Sequence, residues 1–272
     1  MMRALWSAAS GMKGQQTAVD TIANNLANVN TASYKAQSTQ FKSLLYQTIR
    51  SNSTNANGET KPTSVQVGLG TRVSATNSNF AQGPMMASDS NTSFCISGEG
   101  FFAINGPGDE TVYTRDGNFS WALQQDGTRA LTDSDGYFVQ DRDGEPITIP
   151  NEAGTEGFTV GEDGAVSYRN PDGTFTSTGQ YLALYQFSNR VGLEKVGDNQ
   201  YRPTQASGDP QSEWETDGLT PSSMYQNYYE GSNVNVADEM VNLIVAQRAY
   251  ELNSKAITTS DSMLEQANNL KR

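Results

Sequence analysis

At 272 residues the chain is longer than one compact core usually supports, and its 35% apolar content is a lean supply, so the sequence points to two domains or to an elongated molecule that buries part of its surface against other subunits. The formal charge of -12 is unevenly spread, with +4 on residues 1–50, -15 on 51–231 and -1 on 232–272, a distribution that repels phosphate backbones and argues against nucleic-acid binding. Cys95 is the one cysteine and histidine is absent, which excludes an intramolecular disulfide and a cysteine metal cluster and leaves any enzyme to rely on carboxylates, Lys or Tyr; no catalytic, metal or cofactor residue is assigned.

The chain opens on a helical pattern. Leu5, Met12, Val19 and Leu26 recur every seven residues, with Ala8, Gln15, Ile22 and Val29 three positions later. Such a seam resembles that of a coiled coil and predicts a helix from about Arg3 to Val29, ended by the turn chemistry of Asn30, Thr31 and Ser33. The apolar stretch after Arg3 is broken by Ser10, Gly11 and Lys13, too short for a signal peptide, and no run is long enough to enter a membrane.

Residues 50–68 lack apolar periodicity and are rich in Ser, Asn, Thr and Gly, which predicts a long loop or an exposed hairpin. Beyond them the period shortens to two. Candidate strands begin at Phe101 (FFAI), Thr111 (TVYT), Phe119 (FSWAL), Tyr137 (YFVQ), Ala165 (AVSYR) and Tyr181 (YLALYQF). Asp-Gly pairs at Asp116, Asp126, Asp135, Asp143, Asp163, Asp172 and Asp217 punctuate this region as hairpin turns would, and together they predict an antiparallel β domain. Cys95, between Phe94 and Ile96, reads as a buried strand residue.

Three patterns imitate functional sites. TDSDGYFVQDRDGE has the acids of a calcium loop, but Gly136 falls at the fourth position after Asp133 rather than the sixth, which favours turns. Gly98, Gly100 and Ala103 fit a nucleotide-loop spacing, yet a β-like FFAI follows where a helix N-terminus is needed. The acidic pairs Asp133 with Asp135, Asp141 with Asp143, and Glu213 with Glu215 suit solvated turns better than glycoside hydrolysis.

At the far end Val236, Leu243, Tyr250, Ile257 and Leu264 form a second seven-residue series, with Asn235 as N-cap and Asp238 at the third helical position. Each seam buries one side only, so the two helices are expected to pair, as a discontinuous helical domain of residues 1–34 and 232–272. Residues 35–90 then form a connector and 91–231 an outer antiparallel β domain, an α+β architecture. Ordinary core helices of a globule are the alternative. Asn24, Asn25 and Asn28, answered by Asn233, Asn235, Asn242 and Asn253, are amides able to join neighbouring helices laterally, or else solvent-facing residues.

Taken together, LWSAASGM, IANNLANVNTASYK from Ile22, LLYQTIR from Leu44, GEGFFAI from Gly98, YTRDGNF from Tyr113, GLEKVGDNQYRPT from Gly192 and SNVNVADEMVNLIVAQRAYELNSKAI from Ser232 resemble the bacterial flagellar rod and hook axial proteins, most closely those of the distal rod. The resemblance implies a non-enzymatic subunit that stacks helically into a straight, hollow drive shaft in the basal body. It implies as partners further copies of the chain, proximal rod proteins, the hook protein and the flagellar type III export apparatus, with L and P rings where an outer membrane is present. The expected location is the periplasm-spanning rod, reached without a cleaved signal peptide. The expected assembly interface comprises Leu5, Met12, Val19, Ile22, Asn24, Asn25, Leu26, Asn28 and Val29 with Val236, Met240, Leu243, Gln247, Tyr250, Ile257 and Leu264. A hook or proximal rod subunit, a secreted adhesin-like β protein and a carboxylate-dependent hydrolase are the rival readings.

Overall fold

The computed structural model describes residues 2–50, 64–108, 110–124, 126–150, 157–170, 172–216 and 218–270. It has one long helix near each end of the chain and an antiparallel β region between them. Two compact units result, one of Met1–Ala27, Gln37–Asn79 and Asn235–Arg272, the other of Asn28–Ala36 and Phe80–Val234.

The first unit contains helix α1 (Met2–Ala27), strands β1 (Gln37–Ser43), β2 (Tyr46–Arg50), β3 (Val65–Gly68) and β4 (Thr71–Ser78), and helix α2 (Val236–Asn269). α1 packs both on α2 and on the β1–β4 ribbon. The line of α1 that is buried most deeply, Ala8, Gly14, Ala18, Thr21 and Asn25, advances in steps of three and four from Gly14 and is made of small and polar residues rather than of the seven-residue apolar series. Close approach explains it: a Cβ added at Gly14 would stand 3.0 Å from the Phe41 ring of β1, and the Thr21 and Thr39 hydroxyls are 3.0 Å apart. A side chain larger than alanine's at Gly14 would have to displace the Phe41 ring from the helix.

α2 starts as its sequence predicts. The Asn235 side chain accepts the Ala237 N–H at 3.1 Å and donates to the Asp238 carboxylate at 2.8 Å, satisfying a free backbone donor and fixing an acid at the positive helix end. Along α2 the shielded positions Leu243, Ala246, Ala249, Asn253, Ile257, Ser260 and Leu264 follow a three-and-four spacing. α1 stops at Ala27, so Asn28 and Val29, read from the sequence as the last residues of the seam, lie beyond it; the Asn28 carbonyl accepts from Thr31 N and its side-chain oxygen from the Thr31 hydroxyl. The two ends of the 50–68 segment pair, Tyr46–Arg50 against Val65–Gly68, while residues 51–63 lie outside the described residues.

The second unit is built on a six-stranded antiparallel sheet in the order 194–197, 200–202, 111–114, 101–105, 184–186, 211–212. Its strand Phe101–Asn105 is buried on both faces: Phe102 and Ile104 join a core with Phe94, Ile96, Phe119 and Leu131, whereas Phe101 and Ala103 join a second core with Phe80, Tyr113, Phe187 and Tyr201. Two-sided burial is why FFAI is an unbroken apolar run rather than an alternating one.

Five of the Asp-Gly pairs make one repeated turn. In each of the turns led by Gln124, Asp133, Asp141, Gly161 and Asn170, the Gly three positions on donates to the leading carbonyl and the leading N–H bonds the carbonyl of the residue after that Gly. Those glycines have φ between +76° and +86° while the preceding aspartates keep negative φ, the three-residue hairpin ending on a left-handed glycine rather than a two-residue Asp-Gly turn. The two-residue turn with positive φ at both centres is instead Asp198–Asn199, joining Glu194–Gly197 to Gln200–Arg202. Asp116–Gly117 is no hairpin turn: a Cβ at Gly117 would lie 1.9 Å from the Phe94 carbonyl oxygen, so glycine is required by the backbone passing over it. Asp217 lies outside the described residues.

Two candidate strands are corrected. YFVQ forms only isolated bridges, Phe138 to Thr132, Val139 to Ile104 and Gln140 to Pro146, because tight turns on both sides leave it too short for a ladder of its own. YLALYQF is divided: Tyr181 ends the strand Phe175–Tyr181 of one sheet and Leu184–Gln186 belongs to the six-stranded sheet, the chain changing sheets at Leu182 and Ala183.

Candidate assembly site and buried ionic clasp

The first unit leaves much of its apolar surface uncovered. Among the described residues most of the large exposed hydrophobic side chains fall in it, although it is the shorter unit: Trp6 is 71% exposed, Val245 62% and Leu252 69%, with Val241 and Ile244 also outward on α2, and Leu45, Tyr46, Ile49 and Val65 outward on the β2–β3 hairpin. Apolar exposure on this scale marks an interaction surface.

The residues expected from the sequence to form the interface divide into three groups. Leu5, Met12, Val19, Ile22, Leu26, Leu243, Ile257 and Leu264 are half-buried within the first unit; Val236, Met240, Gln247, Tyr250 and Asn24 are exposed; Asn25 is wholly buried. Val19, Gln247 and Tyr250 come together on a shallow groove with Gln16 and Glu251. Asn28 and Val29 are half-buried and belong to the second unit.

The asparagine block has a role inside the chain. Asn25 donates to the Gln37 carbonyl at 2.8 Å and accepts the Gln37 N–H at 2.9 Å, so one amide closes both backbone groups at the start of β1. In the second unit Asn233 does the same work for two irregular segments at once, accepting from Ala36 N at 2.7 Å and donating to the Ala81 carbonyl at 2.9 Å. An amide serves where no other side chain does, because it alone offers a donor and an acceptor at a fixed spacing without charge.

Sequence reasoning missed a buried ionic cluster in the second unit. Glu230 and Lys35 are 0% exposed and Arg115 is 1% exposed. Glu230 Oε1 accepts from Lys35 Nζ at 2.6 Å and from Gly83 N at 2.7 Å; Oε2 accepts from Arg115 Nε at 2.8 Å. The remaining donors are also used, Lys35 on the Ala81 carbonyl and Arg115 on the carbonyls of Gly98, Gly100 and Ile96. Ser33, held at φ 55°, donates its N–H to the Glu230 carbonyl and its hydroxyl to that of Arg115. Burial, with the Arg115 charge beside it, lowers the Lys35 pKa to about 8 despite the Glu230 carboxylate; burial raises that of Glu230, but Arg115 and Lys35 outweigh it and the net shift is downward. Cys95, in the strand Phe94–Ser97 nearby, is buried, and burial pushes its thiol up to about 11, so it is an inert core residue rather than a nucleophile. This charge-paired triad of residues 35, 115 and 230 is a clasp on the second unit, and three of the segments that it joins, 33–36, 81–83 and 230–233, lie within a few residues of a point where the chain passes between units, whereas Arg115 comes from well inside the second.

The imitated sites resolve into structure. The acids of TDSDGYFVQDRDGE lead two of the repeated turns, and Glu213 is held by Gln186 and Ser222. Gly98, at φ +144°, admits Ser222 within 2.4 Å of where its Cβ would stand, and the Ser222 hydroxyl accepts from Gly100 N at 3.1 Å: the glycines make a strand entrance. Burial pushes the Asp116 carboxyl up to about 6, against the Asn118 N–H that it accepts.

Three family descriptions match the chain: flagella basal body rod protein over residues 5–35, flagellar hook protein FlgE/F/G D1 domain over 95–168, and flagellar basal body rod FlgEFG protein C-terminal over 225–270. Whole chains match as well. Flagellar basal-body rod protein FlgG of Borreliella burgdorferi is 43% identical over 100% of both chains, and that of Bacillus subtilis is 37% identical over 100% of both. The chain belongs to the flagellar basal-body rod protein family. This family is made of structural components, which leaves the acidic pairs without a catalytic role. A hook protein FlgE of Helicobacter mustelae is 38% identical over 142 residues, covering 52% of this chain and 30% of that one, so the similarity to a hook subunit is partial where that to the rod proteins is complete.

Proposed function

We propose that this chain is a structural subunit of the flagellar distal rod, polymerising helically into a straight, hollow shaft that carries motor torque to the hook and conducts exported subunits. The observation that carries this reading is the uncovered apolar surface of a first unit built from both ends of a chain that matches rod proteins over its full length. In the polymer α1 and α2 pair as a coiled-coil-like element, the exposed faces of α2 are covered by neighbouring copies, and head-to-tail contacts that never close generate the filament. Of the expected interface positions from Leu5 to Val29 and from Val236 to Leu264, the exposed Asn24, Val236, Met240, Gln247 and Tyr250 meet the neighbouring copies, and the half-buried seam residues with Asn25 hold the helices that present them. Proximal rod proteins and the hook protein cap the two ends of the shaft, L and P rings surround it where an outer membrane is present, and the subunit passes through the type III export apparatus without a cleaved signal to reach its periplasm-spanning position. The 50–68 insertion bridges neighbours and stiffens the tube.

The test is Leu243→Asp, which places a charge at a half-buried seam position. Cells expressing only this variant are expected to lack rods and to be non-motile; intact rods would refute the seam as the basis of assembly.

A further inference from the structure

One carboxylate oxygen in the first unit lacks a partner. Glu239, in the first turn of α2, has its Oε2 shielded from solvent and bonded to nothing among the described residues. It lines a groove of about 300 Å³ between α1, β1 and α2, where Ala18, Ile22, Phe41 and Val245 supply apolar wall beside neutral polar side chains such as Gln15, Thr39 and Asn242, and Glu239 is the lone charge. A shielded carboxylate oxygen without a donor is costly, and a groove of mixed apolar and neutral polar wall with a single anionic acceptor fits a long side chain with an aliphatic stem and a cationic head.

The same unit carries the complement on another surface. Lys42 of β1 and Arg72 of β4 stand directly opposite one another in the ladder, both exposed and neither ion-paired among the described residues. Like charges in directly opposed positions destabilise a ribbon unless an outside anion answers them. Phe41 packs on Gly14 of α1 and lines the groove, so by strand alternation Lys42 points to the other face of the ribbon, away from the Glu239 of its own chain.

We infer that the Glu239 groove receives the Lys42 side chain of a second copy. The contact joins two different surfaces and is therefore heterologous, of the kind that propagates rather than closes. This inference rests on the polymer reading above and names one of its joints.

The experiment counts rods by electron microscopy in cells expressing only the full-length variant chain, with helicity of the purified protein measured by circular dichroism. Glu239→Lys and Lys42→Glu are each expected to reduce rod number about tenfold or more, and the double exchange to restore it to within about threefold of the parent. The milder Glu239→Gln and Lys42→Ala cover the case in which a reversed charge prevents folding: each lowers rod number, and the pair together is no worse than the worse single change, since both remove one contact. Wild-type rod numbers in the Glu239 variants, a Lys42 variant that behaves as the parent, or additive losses in the mild pair would overturn the inference. With Leu243→Asp rod-free in the same strain, such a result falls on this joint alone; if Leu243→Asp makes normal rods, the polymer reading falls and this inference with it.

Discussion

Replacing Glu230 by Gln tests whether the clasp holds the second unit together. The change keeps size and one carbonyl acceptor, but it removes the charge that lies 2.6 Å from Lys35 Nζ and 2.8 Å from Arg115 Nε, and it turns an amide donor toward one of those two cations. Arg115 then remains charged and unpaired in a site with essentially no solvent access, and Lys35, already down at about 8 with the carboxylate in place, is driven to give up its proton. Removing one partner of a buried ion pair costs about 3–5 kcal/mol, against a total stability of roughly 5–15 kcal/mol for a domain. For a unit in the 150–250-residue class, about 2–4 °C of Tm accompanies each kcal/mol, so the variant should melt roughly 6–20 °C lower. Differential scanning calorimetry of the purified chain reads this directly. A loss of less than about 3 °C would mean that water or a shifted backbone solvates Arg115 and Lys35 after the carboxylate goes, and the clasp would then be an incidental pairing.

Asp116→Asn should flatten the acid side of the pH–stability curve. The folded carboxyl titrates near 6 against an ordinary value of 3.8, so between those values the folded chain holds a proton that the unfolded chain has lost, and stability falls as pH rises through the window; the Asn variant lacks that fall and should be the more stable of the two at pH 7 by urea titration. Asn25→Ala should cost about 2–4 kcal/mol in chemical denaturation, because it strands both the N–H and the carbonyl of Gln37 beneath α1, and Asn25→Asp should not rescue it, since the Gln37 carbonyl would then face an acceptor. Deleting Ser51–Ser64 should leave rods that assemble but bend more easily in electron micrographs; rods as straight as the parent's would place stiffness elsewhere.

The parts of this fold that could be read from the sequence are those whose signal is local. Asn235 announces α2 because a cap needs only its own turn, and the seven-residue series announces both helices because period is a property of a short window. FFAI, TVYT and AVSYR are strands for the same reason. β1 and β4, QSTQFKS and TRVSATNS, gave no such signal: their ribbon is largely solvent-exposed, and a strand with little buried face has little reason to alternate. YLALYQF looked like one strand because apolar character continues through a change of sheet. The clasp was invisible for a different reason. Lys35, Arg115 and Glu230 each look like a surface charge alone, and only the fold brings them within bonding distance.

That distance along the chain has a consequence in time. Lys35 and Glu230 are 195 residues apart, and a polypeptide that emerges from its N-terminus presents Lys35 long before its partner exists. Closing so large a loop waits until nearly all of the β region has appeared, and the turn at Ser33, the segment at Ala81 and the Arg115 side chain stay free of their common anchor until then. A half-made chain therefore stays open and unable to lock, and the last stretch before α2 acts as a checkpoint: the molecule becomes stiff only once it is nearly complete.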